Sequence, residues 1–232
     1  MMTTARKTIA ASALFFTLTS SAAWAQERYA TMASVDMYRT ASRAAEIAFA
    51  RSAAPPSISE GAEILVLGQA GYETAVKGGN GFTCLVERSW FADFDDSEFW
   101  NPKIRAPVCF NPAATRSVVP GYLERTQWVL SGVPRTELLR RTQAAVVAKK
   151  IVAPEIGAMC FMQSKDGYLG DKVGGHWHPH LMFYLPRVDK ADWGAESKGS
   201  PIFGGPLLAE PTSLFVVPVL DWSDGSPGPM NH

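Results

Sequence analysis

Three consecutive helical segments occupy the middle of this chain, with strand-like segments on both sides, and that order constrains the fold more than any single motif. Asn111-Pro112 has the form of an N-cap followed by a first-turn proline. It predicts a short helix over 112–118. A second helix is predicted from near Pro120 through Leu130, ended by Gly132. A third fits Pro134 to Lys150, where Leu138, Leu139, Ala145, Val146 and Ala148 form the apolar stripe. Lys149 and Lys150 fall in its last turn, where positive charge suits the helix dipole.

Before this block, residues 31–51 are alanine-rich and lack Gly and Pro, so one amphipathic helix is expected there, closed by Pro55-Pro56. Ile64–Leu67, Tyr72–Lys77 and Phe82–Trp90 then read as three strands joined by glycine turns, most economically an antiparallel meander. Residues 91–110 mix acids, aromatics and prolines. Asp93, Asp95, Asp96 and Glu98 lack the spacing and glycine of an EF-hand, so a solvated loop is expected. After Pro154, strands are expected over 157–164, 176–185 and 214–222, with 186–211 a loop holding a short helical turn at 189–195. Strands and helices do not alternate, which argues against a doubly wound parallel sheet. The expected class is α+β: a single mostly antiparallel sheet of about five or six strands with helices packed on one face. The element order has a topological analogy with small profilin, PAS or GAF domains.

Arg6 and Lys7, the apolar run Thr8–Leu18 and then Ala23-Trp24-Ala25 have the pattern of a cleaved secretory signal over residues 1–25. The run is shorter than the roughly 20 apolar residues a span needs. Gln26, not cysteine, stands directly after the cleavage point, so no lipid anchor is expected there and no membrane anchor in the mature chain. Residues 26–222 are expected to form one domain and 223–232 a flexible tail. Lys+Arg and Asp+Glu each number 22 in the full chain. That balance offers no basic stripe for nucleic acid. In an oxidising compartment the three cysteines allow one disulfide. Cys84 with Cys109 is the preferred pair, and Cys160, in the apolar run Ala158–Met162, reads as a buried inert thiol.

Three of the four histidines lie at every second position in Gly174–Tyr184, GGHWHPHLMFY. As a strand, this segment has an apolar odd face (Trp177, Pro179, Leu181, Phe183) and an even face of His176, His178, His180, Met182 and Tyr184. The odd face is expected to pack inward and the histidines to look outward. Pro179 cannot donate to a ladder, so an edge strand is expected. A strand places residues i and i+2 about 6.6 Å apart, which metal–nitrogen bonds of about 2.0–2.1 Å can bridge. Residues i and i+4 lie about 13 Å apart, too far for one ion without a kink. The candidate Zn or Cu site is therefore a pair, His176 with His178 or His178 with His180, completed from elsewhere; all three could join only at a kink, which Pro179 could provide. His232, Cys160, Glu73, Glu87, Asp166 and Asp171 are possible completing ligands. Met159, Met162 and Met182 would suit copper if they lie beside the pair. HPHLMFYLP lacks the following Glu and second histidine motif of a cupin, and the Asp-His of a metallo-β-lactamase.

NGFTCLVERSW, APVCFNP, GHWHPHLMFYLP and VPVLDWSDG together resemble a group of secreted bacterial proteins that carry a GHWHPH-type motif. That resemblance implies export and a single domain, and supplies no catalytic residues. The functional expectation is an exported protein that binds a small ligand or a metal ion at the histidine strand. The alternatives are a metal-dependent or His-catalysed periplasmic enzyme, or a protein-interaction module.

Overall fold

The computed structural model describes residues 28–175 and 177–229. The expected signal segment, His176 and His232 lie outside these residues.

The protein is α+β and is built on one sheet. Its strands are β1 Glu63–Leu67, β2 Tyr72–Val76, β3 Thr83–Glu87, β4 Ala106–Phe110, β5 Met159–Met162, β6 His180–Pro186, β7 Phe203–Pro206 and β8 Thr212–Pro218. They form an eight-stranded sheet in the order β2-β1-β3-β4-β5-β6-β8-β7, so the expected five or six strands fall short.

One of the added strands, β4, lies in the segment expected as solvated loop, and all five of its residues are buried. The other is β7, whose sequence FGGP reads as a turn. Gly204 there has φ +107, and a Cβ would come within 2.2 Å of the Leu214 carbonyl oxygen, so glycine is required against β8.

The first three strands are not a meander. β1 pairs antiparallel with β2 but parallel with β3, with Ile64 opposite Cys84. The return from β2 crosses beside the start of β1. There the amides of Gly79 and Asn80 donate to the Gly61 carbonyl, and Glu63 donates to the Phe82 carbonyl. A Cβ on Gly78 would lie 2.1 Å from the Glu63 nitrogen, so this close crossing excludes any side chain.

The helices are α1 Arg43–Arg51, α2 Pro56–Ser59, α3 Pro112–Ser117, α4 Val119–Leu130 and α5 Arg135–Val147. The last three match expectation. The Asn111 side chain accepts from the Ala114 amide, and Gly132 takes φ +81 after α4. The long N-terminal helix does not form as one piece. A 3-10 turn at Val35–Tyr38 is followed by α1, capped by the Ser42 side chain on the Ala45 amide. The break lets Tyr38 bury completely and donate its hydroxyl to the Trp100 carbonyl.

Helices lie on both faces of the sheet, not on one. On one side Ala50 of α1 packs with Ile64, Cys84, Val86 and Cys109. On the other, Tyr122 and Val129 of α4 and Leu138 of α5 share a core with Leu85, Val108, Phe110, Cys160 and Tyr184. Glu46 of α1 pairs with Arg88 at 2.9 Å and accepts from the Leu67 amide, both charged side chains being buried. Cys84 and Cys109 stand directly opposite on β3 and β4 and form the expected disulfide. Cys160 is a buried free thiol.

Candidate functional site

β6 is an interior strand between β5 and β8, not an edge. Pro179 precedes it, and its carbonyl accepts from Val219. The burial parity is the reverse of expectation. His180, Met182 and Tyr184 are buried, whereas Leu181, Phe183 and Leu185 are only half-buried. The even face turns toward the core under α4, where Tyr184 packs on Phe110 with ring centroids 6.0 Å apart. The odd face is covered too. A 3-10 turn at Ala191–Trp193 lays Trp193 flat on Phe215 at 4.6 Å and near Phe183 at 6.0 Å. Residues 186–202 thus fold back as a second layer, so an apolar odd face did not require core contact.

His178 and His180 line one small cleft, together with Met162, Ser164, Leu169 and Trp177. Its volume is about 10 Å³. That is about the space one water or one ion needs, and far below the roughly 300–1,000 Å³ of organic-ligand pockets. His180 is 3% exposed, and its Nδ1 lies 2.8 Å from the His178 carbonyl oxygen. A carbonyl only accepts, so Nδ1 must carry the proton and Nε2 presents a lone pair. A backbone carbonyl on one ring nitrogen is also how metal-ligating histidines are commonly oriented. Burial pushes the His180 imidazole down to about 4, with the neighbouring His178 ring adding to that, so His180 stays neutral. Trp177 lies beside it, ring centroids 5.8 Å apart.

The cleft lies under the connection from β5 to β6. Arg105 and Tyr168 exchange backbone hydrogen bonds, tying this connection to the root of β4. Gly175 has φ +90, and a Cβ there would stand 2.7 Å from the Tyr168 ring. Glu98 was expected only as a loop acid. It is buried, and its carboxylate accepts from the amides of Asp171 and Lys172 and from Asn101 Nδ2. Nothing in its local sequence marks that role. Asp171 accepts from the hydroxyls of Tyr29 and Tyr168 and pairs with Arg28 at 2.7 Å. Those hydroxyls hold the Asp171 carboxyl down at about 2.

The acids and the thiol considered as completing ligands lie elsewhere. Glu73 pairs with Arg43 at the outer sheet edge. Glu87 ends β3, half-buried. Asp166 borders a different cleft, beside α1. Cys160 sits 3.7 Å from the Tyr184 hydroxyl. Among the described residues, no group of three or more His, Cys, Asp and Glu side chains is arranged to hold a metal. What the structure brings together is a histidine pair and a methionine. Also among the described residues, no helix is long and apolar enough to cross a membrane.

Fold and site thus define an eight-stranded α+β protein in which buried His180 and half-buried His178 line one cleft under a glycine-containing connection. Comparison of the chain with protein-family models, curated proteins and solved structures finds no match.

Proposed function

We propose that this is an extracytoplasmic protein that binds a single ion through His178 and His180. The observation that carries the reading is the shared cleft of about 10 Å³, with His180 held as its Nδ1–H tautomer by the His178 carbonyl. A cleft this small favours an ion over an organic ligand. None of its lining residues is an acid or a thiol, which an enzymatic alternative would call for beside the imidazoles. The disulfide fits an oxidising compartment. As a second reading, a protein-interaction module is favoured by Val147, Val152 and Ile156, all exposed on the path from α5 to β5.

Elemental analysis of untagged protein, with melting in the presence of Zn²⁺ and Cu²⁺, tests the ion reading. One ion per chain is expected. At a hundredfold excess over Kd the melting temperature should rise by roughly 5–10 °C. The His178→Ala protein should lose the rise while melting normally without metal. No uptake and no rise with either ion would end the reading.

A further inference from the structure

Met162 stands directly opposite His180 across the β5–β6 ladder. Side chains opposite one another in an antiparallel pair have Cβ atoms about 4.5–5.5 Å apart. Met162 is 6% exposed and lines the same cleft as both histidines. His178, His180 and Met162 therefore line one ion-sized space, and thioether sulfur selects soft ions.

Charge decides between the metals. The lining residues of the cleft include no carboxylate and no thiol, so an ion held there keeps its full charge in a mostly apolar surrounding. The cost of burying an ion grows with the square of its charge, so an uncompensated divalent ion costs about four times as much as a monovalent one. Zinc sites in proteins usually offset that cost with thiolates or carboxylates, or keep a water. Neither anion is present among the lining residues here. Copper(I) combines single charge with affinity for imidazole and thioether.

We infer that the ion of this site is Cu(I), held by His178, His180 and Met162. The inference rests on the single-ion reading above and adds the identity of the ion and of a third ligand. Cys160 is the competing soft donor. It lies two residues back on β5, opposite Met182, and is fully buried outside the cleft.

The test is anaerobic titration of untagged protein with Cu(I) against a chromogenic Cu(I) chelator, with parallel Zn²⁺ titrations. The proteins are wild type, Met162→Leu, His178→Ala and Cys160→Ala. Leucine keeps the apolar volume of methionine, so folding should survive. The expected result is one Cu(I) per chain, bound at least tenfold more weakly by Met162→Leu and by His178→Ala and unchanged in Cys160→Ala. Zn²⁺ should bind more weakly than Cu(I). Two results overturn the inference but leave the histidine pair standing: Cu(I) affinity indifferent to Met162→Leu while His178→Ala still weakens it, or Zn²⁺ bound as tightly as Cu(I). Loss of Cu(I) only in Cys160→Ala would move the ion to the thiol and overturn the inference together with the histidine pair. If no ion binds, both the inference and the single-ion reading fall.

Discussion

Two long connections each join a strand to its antiparallel neighbour, and they are built in opposite ways. The β3–β4 connection, residues 88–105, is part of the core. Trp90 and Phe99 are fully buried, and Phe91, Phe94 and Trp100 nearly so. Phe94 stacks on Phe99 at 5.6 Å, and Arg125 and Arg135 lie over their rings at 4.4 and 4.9 Å. The β5–β6 connection, residues 163–179, carries fewer buried side chains among the described residues and hangs on the first by polar contacts. Glu98 holds its Asp171 and Lys172 amides, Lys172 pairs with Asp96 at 3.1 Å, and Lys103 reaches Asp171 at 3.4 Å. The difference teaches how the site is held. The aromatic connection is rigid because burying large rings is worth several kcal/mol in total. The histidine-bearing one borrows that rigidity through a few directional bonds.

The largest expected effect comes from removing a ring of the first connection. Trp90 packs on Tyr38 at 4.9 Å and donates its indole N–H to Thr126. Trp90→Ala should cost about 3–5 kcal/mol, read as a lowered urea midpoint. A loss below about 1 kcal/mol would mean that this connection is no more core than the other.

The acids of the two connections should titrate in opposite senses. At the root of the first, burial pushes the Glu87 carboxyl up from 4.5 to about 8. It faces Tyr72 on β2, Tyr122 on α4, and Cys160 and Tyr184 on β5 and β6, and among the described residues it has no hydrogen-bond or ion-pair partner. A raised pKa means the folded state holds a proton the unfolded chain has released. Stability from this group is complete below pH 4.5 and is lost as pH rises to about 8. Glu87→Gln should abolish that fall in melting temperature while matching wild type at pH 4; an unchanged alkaline slope would show the carboxyl to be solvated. Asp171, in the second connection, is depressed from 3.8 to about 2, so its contribution is present above 3.8 and is lost on further acidification. Asp171→Asn should flatten only that acid limb.

Cutting the tie between the connections comes next. Glu98→Ala leaves two amides and the Asn101 side chain without their acceptor, and should cost about 1–3 kcal/mol. It should also weaken ion uptake at His178 and His180. A stability loss with unchanged ion affinity would show that the histidine-bearing connection holds its shape alone. The smallest effect is expected at Lys165, which pairs with Asp224 at 2.6 Å in solvent. Lys165→Ala should move the melting temperature by no more than about 1–2 °C. A larger shift would make the segment after β8 a support of the second connection.

Much of the frame was legible from residues alone, because local chemistry specifies it. Asn111-Pro112 starts α3 and Gly132 follows α4, since caps and positive φ act within a few residues. Cys84 and Cys109 were readable as a pair because each lies in an extended run and the expected oxidising compartment favours their oxidation. Period two in His176–Leu185 established that β6 has two unlike faces. It did not say which face is inside, because alternation is symmetric under turning the strand over. That choice depends on what arrives from elsewhere: α4 and Phe110 on the histidine side, and Trp193 from a distant turn on the other. The parallel pairing of β1 with β3 and the addition of β7 were likewise invisible, since one depends on how the glycine-rich return at 78–81 crosses Gly61 and the other on a segment, FGGP, whose own composition reads as turn. Glu98 acts on amides more than 70 residues away. The sequence by itself determined the three middle helices, most of the strands, the disulfide pair and the donor types. Only the tertiary structure decided that two histidines and Met162 share one ion-sized space, because convergence is a property of packing and not of spacing.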